Sequence, residues 1–242
     1  MPGIEPVRPT VVLVHGAFVD GGSWAGVARV LLAKGVSVMV PAVALRGIAV
    51  DSAYLRSVLA NISGPVLAVG HSYGGAIITN AAARARNVVG LVYVAAFAPD
   101  EHESLTDLEA MSRDSLIAPA LVRRGYLTGN GDETAVDLNI APRSFHRVFA
   151  ADLSEGRAAV LAASQRPLAE PAVFEKSAAA AWRSLPSWAV IATEDKVAGT
   201  DVIRSMARRA NAEIVELDGS HAIIVSQPER VSDVILSAME AL

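Results

Sequence analysis

The chain has 242 residues, 52% of them hydrophobic, a formal net charge of −4 and no cysteine. That length suits one large domain or two small ones with a sizeable buried core, and the missing cysteines exclude disulfides, thiolate metal sites and a cysteine nucleophile together. A pI of about 5.7 argues against a nucleic-acid partner, and no apolar run reaches the ~18–20 residues of a membrane span.

The N-terminal stretch MPGIEPVRPTVVLVHG carries an acid before its only base, and its apolar run is short. No signal peptide is expected from it, and the cytoplasm is the expected compartment. Residues 11–15 (VVLVH) are a β-branched run closed by Gly-Ala and predict a buried strand. A helix follows, with Trp24, Val27 and Leu31 on one face, Lys34 in its last turn and Gly35 just past its end. Residues 36–40 read as a strand stopped by Pro41, and Asp51 or Ser52 can cap a helix bearing Tyr54, Leu55, Val58 and Leu59. Residues 65–70 (PVLAVG) predict a third strand, 73–84 a helix and 88–96 (VVGLVYVAA) a fourth strand.

These strands are apolar along their whole length, and helices alternate with them. Both features belong to a parallel sheet covered on both faces. From 98 to 186 no strand stands out; the pieces lean to helix and carry Leu105, Met111, Leu116, Leu121, Tyr126, Phe145, Phe149 and Phe174. Alternation returns with a strand at 187–193, a helix at 201–210, a strand at 213–217 and a last helix opening at Pro228. The expected plan is a doubly wound, mostly parallel α/β core from 1–97 and 187–242. A helical insertion, 98–186, would lie over the sheet's C-terminal edge, where ligands bind in this architecture.

Gly70-His71-Ser72-Tyr73-Gly74 fits G-x-S-x-G and stands between an expected strand and an expected helix, the context in which that motif forms a nucleophile elbow. A serine thrust outward from so sharp a turn needs small neighbours, which Gly70 and Gly74 supply, while Gly75 lets the following helix approach the sheet. The turn lacks the lysine of a phosphate loop and breaks the G-x-G-x-x-G dinucleotide pattern; Ser72 as a plain helix cap is the simpler alternative.

A nucleophilic serine needs a base, and the base an orienting acid, in the chain order serine, acid, histidine. Of His15, His71, His102, His146 and His221, only His221 follows the last expected strand. His15 and His71 end strands and suit supporting roles; His102 and His146 fall in the insertion. For the acid, the loop after the penultimate strand offers Asp195, with Glu194 as competitor; Asp218, Asp100 and Glu101 are further alternatives. Oxyanion donors are expected at the backbone N–H groups of Tyr73 and, in the loop after the first strand, of Ala17.

The chain resembles the α/β-hydrolase superfamily, most of all its compact branch of plant methylesterases, hydroxynitrile lyases and bacterial esterase relatives. The resemblance rests on VVLVHGAFVDGGSW, VGHSYGGAIITNAA, VVGLVYVAAFAPDE, ATEDK and ELDGSHAIIVSQPERV. It implies a Ser72–Asp195–His221 triad, a helical cap, no cofactor or metal, and a small-molecule ester as substrate. Hydroxynitrile lyases of the branch carry threonine after the first strand's histidine and lysine after the catalytic histidine; Gly16 and Ala222 stand there and match the esterase form. One departure is Val197-Ala198-Gly199, where relatives usually have an Ile-Pro pair soon after the acid. A lyase or C–C bond-cleaving enzyme on the same triad, and a non-catalytic binding protein of the same fold, are the alternatives.

Overall fold

A computed structural model describes residues 8–242; residues 1–7, on which the signal-peptide reading partly rests, lie outside the described residues. In chain order the core opens with β1 (Thr10–Val14), α1 (Ala25–Ala33), β2 (Val38–Met39), α2 (Ile48–Ala60), β3 (Val66–His71), α3 (Tyr73–Ala82) and β4 (Val88–Val94). The next stretch holds α4 (Leu105–Glu109), β5 (Leu121–Leu127), β6 (Thr134–Ile140), α5 (Pro142–Phe149), α6 (Glu155–Ala163), β7 (Leu168–Ala169) and α7 (Pro171–Phe174). The core resumes with β8 (Ser187–Ala192), α8 (Thr200–Arg209), β9 (Glu213–Leu217), α9 (Ile223–Ser226) and α10 (Pro228–Glu240).

The main sheet has six strands in the order β2-β1-β3-β4-β8-β9, every neighbouring pair parallel. Every residue of β3 and β8 is buried, as an unbroken apolar run at the middle of a two-sided sheet requires. The edge strands are poorer. Only Val38 and Met39 pair with β1, fewer than the five residues expected at 36–40. An edge strand has one partner, and Pro41 brings no N–H to prolong the ladder.

Two expectations need correction. The 98–186 stretch is not purely helical: β5, β6 and β7 form a separate antiparallel sheet in that order. The pairing of β5 with β6 closes through 128–133, TGNGDE, where Gly129 and Gly131 take positive φ of 91° and 63°. A glycine-rich turn between two alternating segments is a hairpin signal. The charges of LVRRGYL mask it, because one face of β5 is exposed. The second correction concerns α2, which begins at Ile48 after Gly47. Asp51 therefore stands inside its first turn instead of capping it, and its carboxylate reaches back to accept from the Arg46 and Gly47 N–H groups.

Helix α3 lies against the sheet at backbone distance. A Cβ added to Gly75 would fall 2.8 Å from Ala96 Cβ and closer still to the Phe97 carbonyl oxygen. The expected outcome for Gly75→Ala is a loss of about 1–3 kcal/mol of stability. Urea unfolding would show it as a lower midpoint at unchanged m-value.

Candidate active site

The turn between β3 and α3 carries Ser72 at φ 54°, ψ −123°, a conformation that costs about 1–3 kcal/mol for a non-glycine residue. The surroundings hold it there. Ser72 N–H donates to Val94 O, and Ser72 O accepts from Gly75 N–H at 3.0 Å and Phe97 N–H at 3.2 Å. Gly70 and Gly74 face one another: a Cβ on Gly70 would sit 2.6 Å from the Gly74 carbonyl, and one on Gly74 would drive into the Val14 and His15 carbonyl oxygens at the end of β1. Ser72 opens onto a cavity of about 350 Å³. Ser72 is not acting as a plain cap, since its side chain makes no capping hydrogen bond to α3.

The loops after β8 and β9 bring Asp195 and His221 together, both fully buried. His221 Nδ1–H donates to Asp195 Oδ2 at 2.6 Å, and the other oxygen, Oδ1, accepts from Val197 N–H at 2.8 Å and Ala198 N–H at 3.1 Å. Both carboxylate oxygens thus have donors, which is what a buried carboxylate requires. The loop itself is tied down by Ser115, whose hydroxyl donates to Val197 O, and by Leu116 N–H, which donates to Lys196 O. The rival acids are elsewhere. Glu194 is exposed, Asp218 accepts from the Thr193 hydroxyl at the strand end, and Asp100 is engaged by Arg183, with exposed Glu101 beside it.

His221 Nε2 is buried and has no partner among the described residues, so no Ser72–His221 hydrogen bond is formed in this state. Catalytic contacts of this kind often tighten only around substrate. The serine's neighbour makes the connection: His71 Nε2–H donates to His221 O at 2.9 Å, with the two rings 4.8 Å apart. Phe149, from the end of α5, closes the other side with its ring edge-on to His221 at 5.0 Å, while its carbonyl accepts from Ala222 N–H and the Ser220 hydroxyl. Nothing in the sequence singles out Phe149 from other apolar residues of the insertion.

His15 is a backbone brace: Nδ1–H donates to Gly16 O and Nε2 accepts from Val43 N–H, so the ring is neutral. His102 is exposed and His146 donates to Leu153 O, both away from Ser72. The N–H groups of Ala17 and Tyr73 donate to no described group, and both residues line the cavity beside Ser72. Phe18, at φ 64°, turns the chain immediately after Ala17 and is pinned by its N–H to Arg166 O at 3.0 Å. Leu105, Ile117, Leu121, Leu138, Val173 and Phe174 make the cavity largely apolar. Among the described residues no group of three or more His, Asp or Glu side chains is placed to hold a metal ion.

A doubly wound parallel sheet with a serine elbow at the end of its third strand defines the class. The sequence profile of the Alpha/beta hydrolase family matches residues 11–234, and the chain belongs to that family. Among solved structures it resembles polyneuridine aldehyde esterase, with TM-score 0.79, 21% identity, and 96% of this chain and 99% of that one covered. It is similar to the methylesterase MES16 from Arabidopsis, with TM-score 0.79, 16% identity and 97% and 100% coverage. Tomato methylketone synthase I, solved with 2-tridecanone, also matches, with TM-score 0.79, 19% identity and 97% and 99% coverage. At these identities the likeness is one of fold. No curated protein sequence matches the chain. Among the described residues no helix is long and apolar enough to cross a membrane.

Burial holds the His15 imidazole below its usual range, and holds His71 far below it, with the neighbouring His221 ring adding to the effect. Both are neutral when folded but titrate near 6.5 when unfolded. The stability this contributes is present above about pH 6.5 and is lost as pH falls toward the folded-state values, by up to about 1.4 kcal/mol per pH unit for each ring. Asp100 and Glu103, whose pKa values are lowered chiefly by Arg183 and Arg209, act at lower pH, and Asp51, whose pKa burial raises, works in the opposite sense to the histidines. The urea midpoint should be level from pH 7 to 8.5 and fall below pH 6.5. His71→Gln should make that fall shallower.

Proposed function

We propose that the protein is a cofactor-independent serine hydrolase that cleaves small to medium carboxylic esters through an acyl-enzyme. The observation that carries this reading is the buried Asp195–His221 hydrogen bond of 2.6 Å, set behind a serine held in a strained elbow. In the proposed cycle Ser72 Oγ attacks the ester carbonyl and its proton passes to His221 Nε2. Asp195 fixes the tautomer that leaves Nε2 free and stabilises the imidazolium. The N–H groups of Tyr73 and Ala17 receive the negative charge that builds on the carbonyl oxygen, at the N-terminal end of α3. Collapse expels the alcohol, which takes its proton from His221. Water then attacks the acyl-serine with the same imidazole as base. The apolar cavity supports an uncharged ester, and the 98–186 segment, proposed as the cap, supplies most of its wall.

Gly16 favours ester cleavage over the lyase alternative. A Cβ there would stand 2.6 Å from Ser72 Cβ and 3.0 Å from His71 Nδ1, so the threonine of a hydroxynitrile lyase does not fit without moving the elbow. Ala222 supplies no cation for a departing cyanide. Intact triad partners also weigh against a role in binding alone.

Purified protein should hydrolyse p-nitrophenyl butyrate and take up a fluorophosphonate at Ser72. Ser72→Ala should remove the labelling and lower kcat/KM by about a thousandfold or more, and Asp195→Asn should lower kcat by about 10³–10⁴-fold. Glu194→Gln should stay within about twofold, as a surface change outside the site. Unchanged hydrolysis in Ser72→Ala would sink the proposal, and mandelonitrile cleavage by the wild type would revive the lyase.

A further inference from the structure

The segment running from Leu45 to Asp51 belongs to no part of the triad, yet hydrogen bonds tie it both to the serine turn and to the 98–186 insertion. Asp51 is fully buried. Its Oδ2 accepts three hydrogen bonds: from the Tyr73 hydroxyl at 2.8 Å, Arg46 N–H at 3.1 Å and Gly47 N–H at 3.4 Å. Its Oδ1 has no partner. Burial raises the Asp51 pKa and raises that of Tyr73, so the phenol stays a donor throughout the physiological range. The position in the first turn of α2 compensates part of the carboxylate's desolvation.

The other end of the loop grips the 98–186 insertion. The Arg46 guanidinium donates to Asp137 Oδ1 at 2.8 Å, to the Tyr126 hydroxyl at 3.0 Å and to Pro167 O at 3.3 Å, so it reaches β6, β5 and the approach to β7. Leu45 O accepts from Ala169 N–H at 2.9 Å, and Ala49 N–H donates to Glu175 at 3.1 Å. Leu45 itself is buried at φ 61°, a strained conformation for a branched residue that persists only where its surroundings impose it. The chain of contacts is continuous: insertion sheet, Arg46, the Asp51 carboxylate, the Tyr73 hydroxyl. Tyr73 is the first residue of α3, and its N–H is one of the two donors placed at the proposed oxyanion position.

We infer that Asp51 and Arg46 are positioning residues for the Tyr73 N–H. They clasp the insertion's sheet to the elbow, so that the seating of the insertion over the cavity sets the aim of that donor. Oxyanion donors act only if aimed where charge develops, and small misplacements of such groups are expensive in rate. The clasp is therefore expected to act on the transition state more than on substrate binding. This inference rests on the ester-hydrolase reading above.

The test is kinetic, on p-nitrophenyl butyrate, with rates normalised to fluorophosphonate-labelled sites so that unfolded protein is not counted. Tyr73→Phe keeps the ring and removes only the hydroxyl; it should lower kcat about tenfold or more with KM within about twofold. Affinity for a trifluoromethyl ketone, which forms an anionic tetrahedral adduct, should fall by a similar factor. Arg46→Met should lower kcat in the same direction, and the double variant should lose less than the product of the two single losses. Asp51→Asn, which keeps an acceptor toward all three donors, should recover most of what Asp51→Ala loses. If Tyr73→Phe does not fold, the Arg46→Met split between kcat and KM decides alone, because that side chain is partly exposed. Wild-type kcat in both Tyr73→Phe and Arg46→Met, or losses confined to KM, would overturn the clasp while leaving the hydrolase reading intact. A wild type without Ser72-dependent ester hydrolysis would overturn both.

Discussion

The close approach of α3 to the main sheet is the constraint on which the site depends. Gly70, Gly74 and Gly75 bring backbone within contact of backbone at the ends of β1, β3 and β4. Side chains at any of the three would lift the helix away. With the helix seated, Ser72 is forced into positive φ, and the first N–H of α3, that of Tyr73, donates to no described group. The loop after β1 is held against the same turn, and Ala17 from that loop lines the cavity with Ser72. The strain at Ser72 is small against the apolar area buried by two fully covered central strands, so the fold can sustain it.

The second requirement is electrostatic. A carboxylate with no exposure is unfavourable unless its lone pairs are filled, and Asp195 meets this with two backbone N–H groups and His221. The imidazole in turn is packed between His71 and Phe149 and held at its carbonyl by His71. Neutral His15 and His71 add no positive charge near His221, and Asp195 is the charged group hydrogen-bonded to it. Ring orientation comes from packing and hydrogen bonds, and Nε2 is left without a partner among the described residues.

Much of this was legible in the sequence because it follows from backbone geometry that few residues tolerate. Continuous apolar runs predicted β1, β3, β4 and β8, and the glycines at 70, 74 and 75 marked the elbow. The pairing of Asp195 with His221 was legible through their positions after β8 and β9, and Glu194, next to Asp195 in the same loop, differs from it in lying exposed. The insertion read poorly for a different reason. Its hairpin has one exposed face and charged residues in β5, so apolar periodicity is weak although the Gly-Asn-Gly turn is present. The contacts of Phe149 with His221, of Arg46 with the insertion and of Asp51 with Tyr73 were not legible, since the partners lie far off in sequence and only the fold makes them neighbours.

Core and insertion together line an apolar cavity that holds Ser72, in its strained backbone conformation, beside Ala17 and Tyr73, whose N–H groups donate to no described group. The most direct test of this account is a crystal structure of the protein after reaction with a fluorophosphonate. The account predicts phosphorus bonded to Ser72 Oγ, with its anionic oxygen about 2.7–3.1 Å from both Ala17 N and Tyr73 N. A phosphonate on another residue, or an oxygen on Ser72 turned away from those two N–H groups, would contradict it.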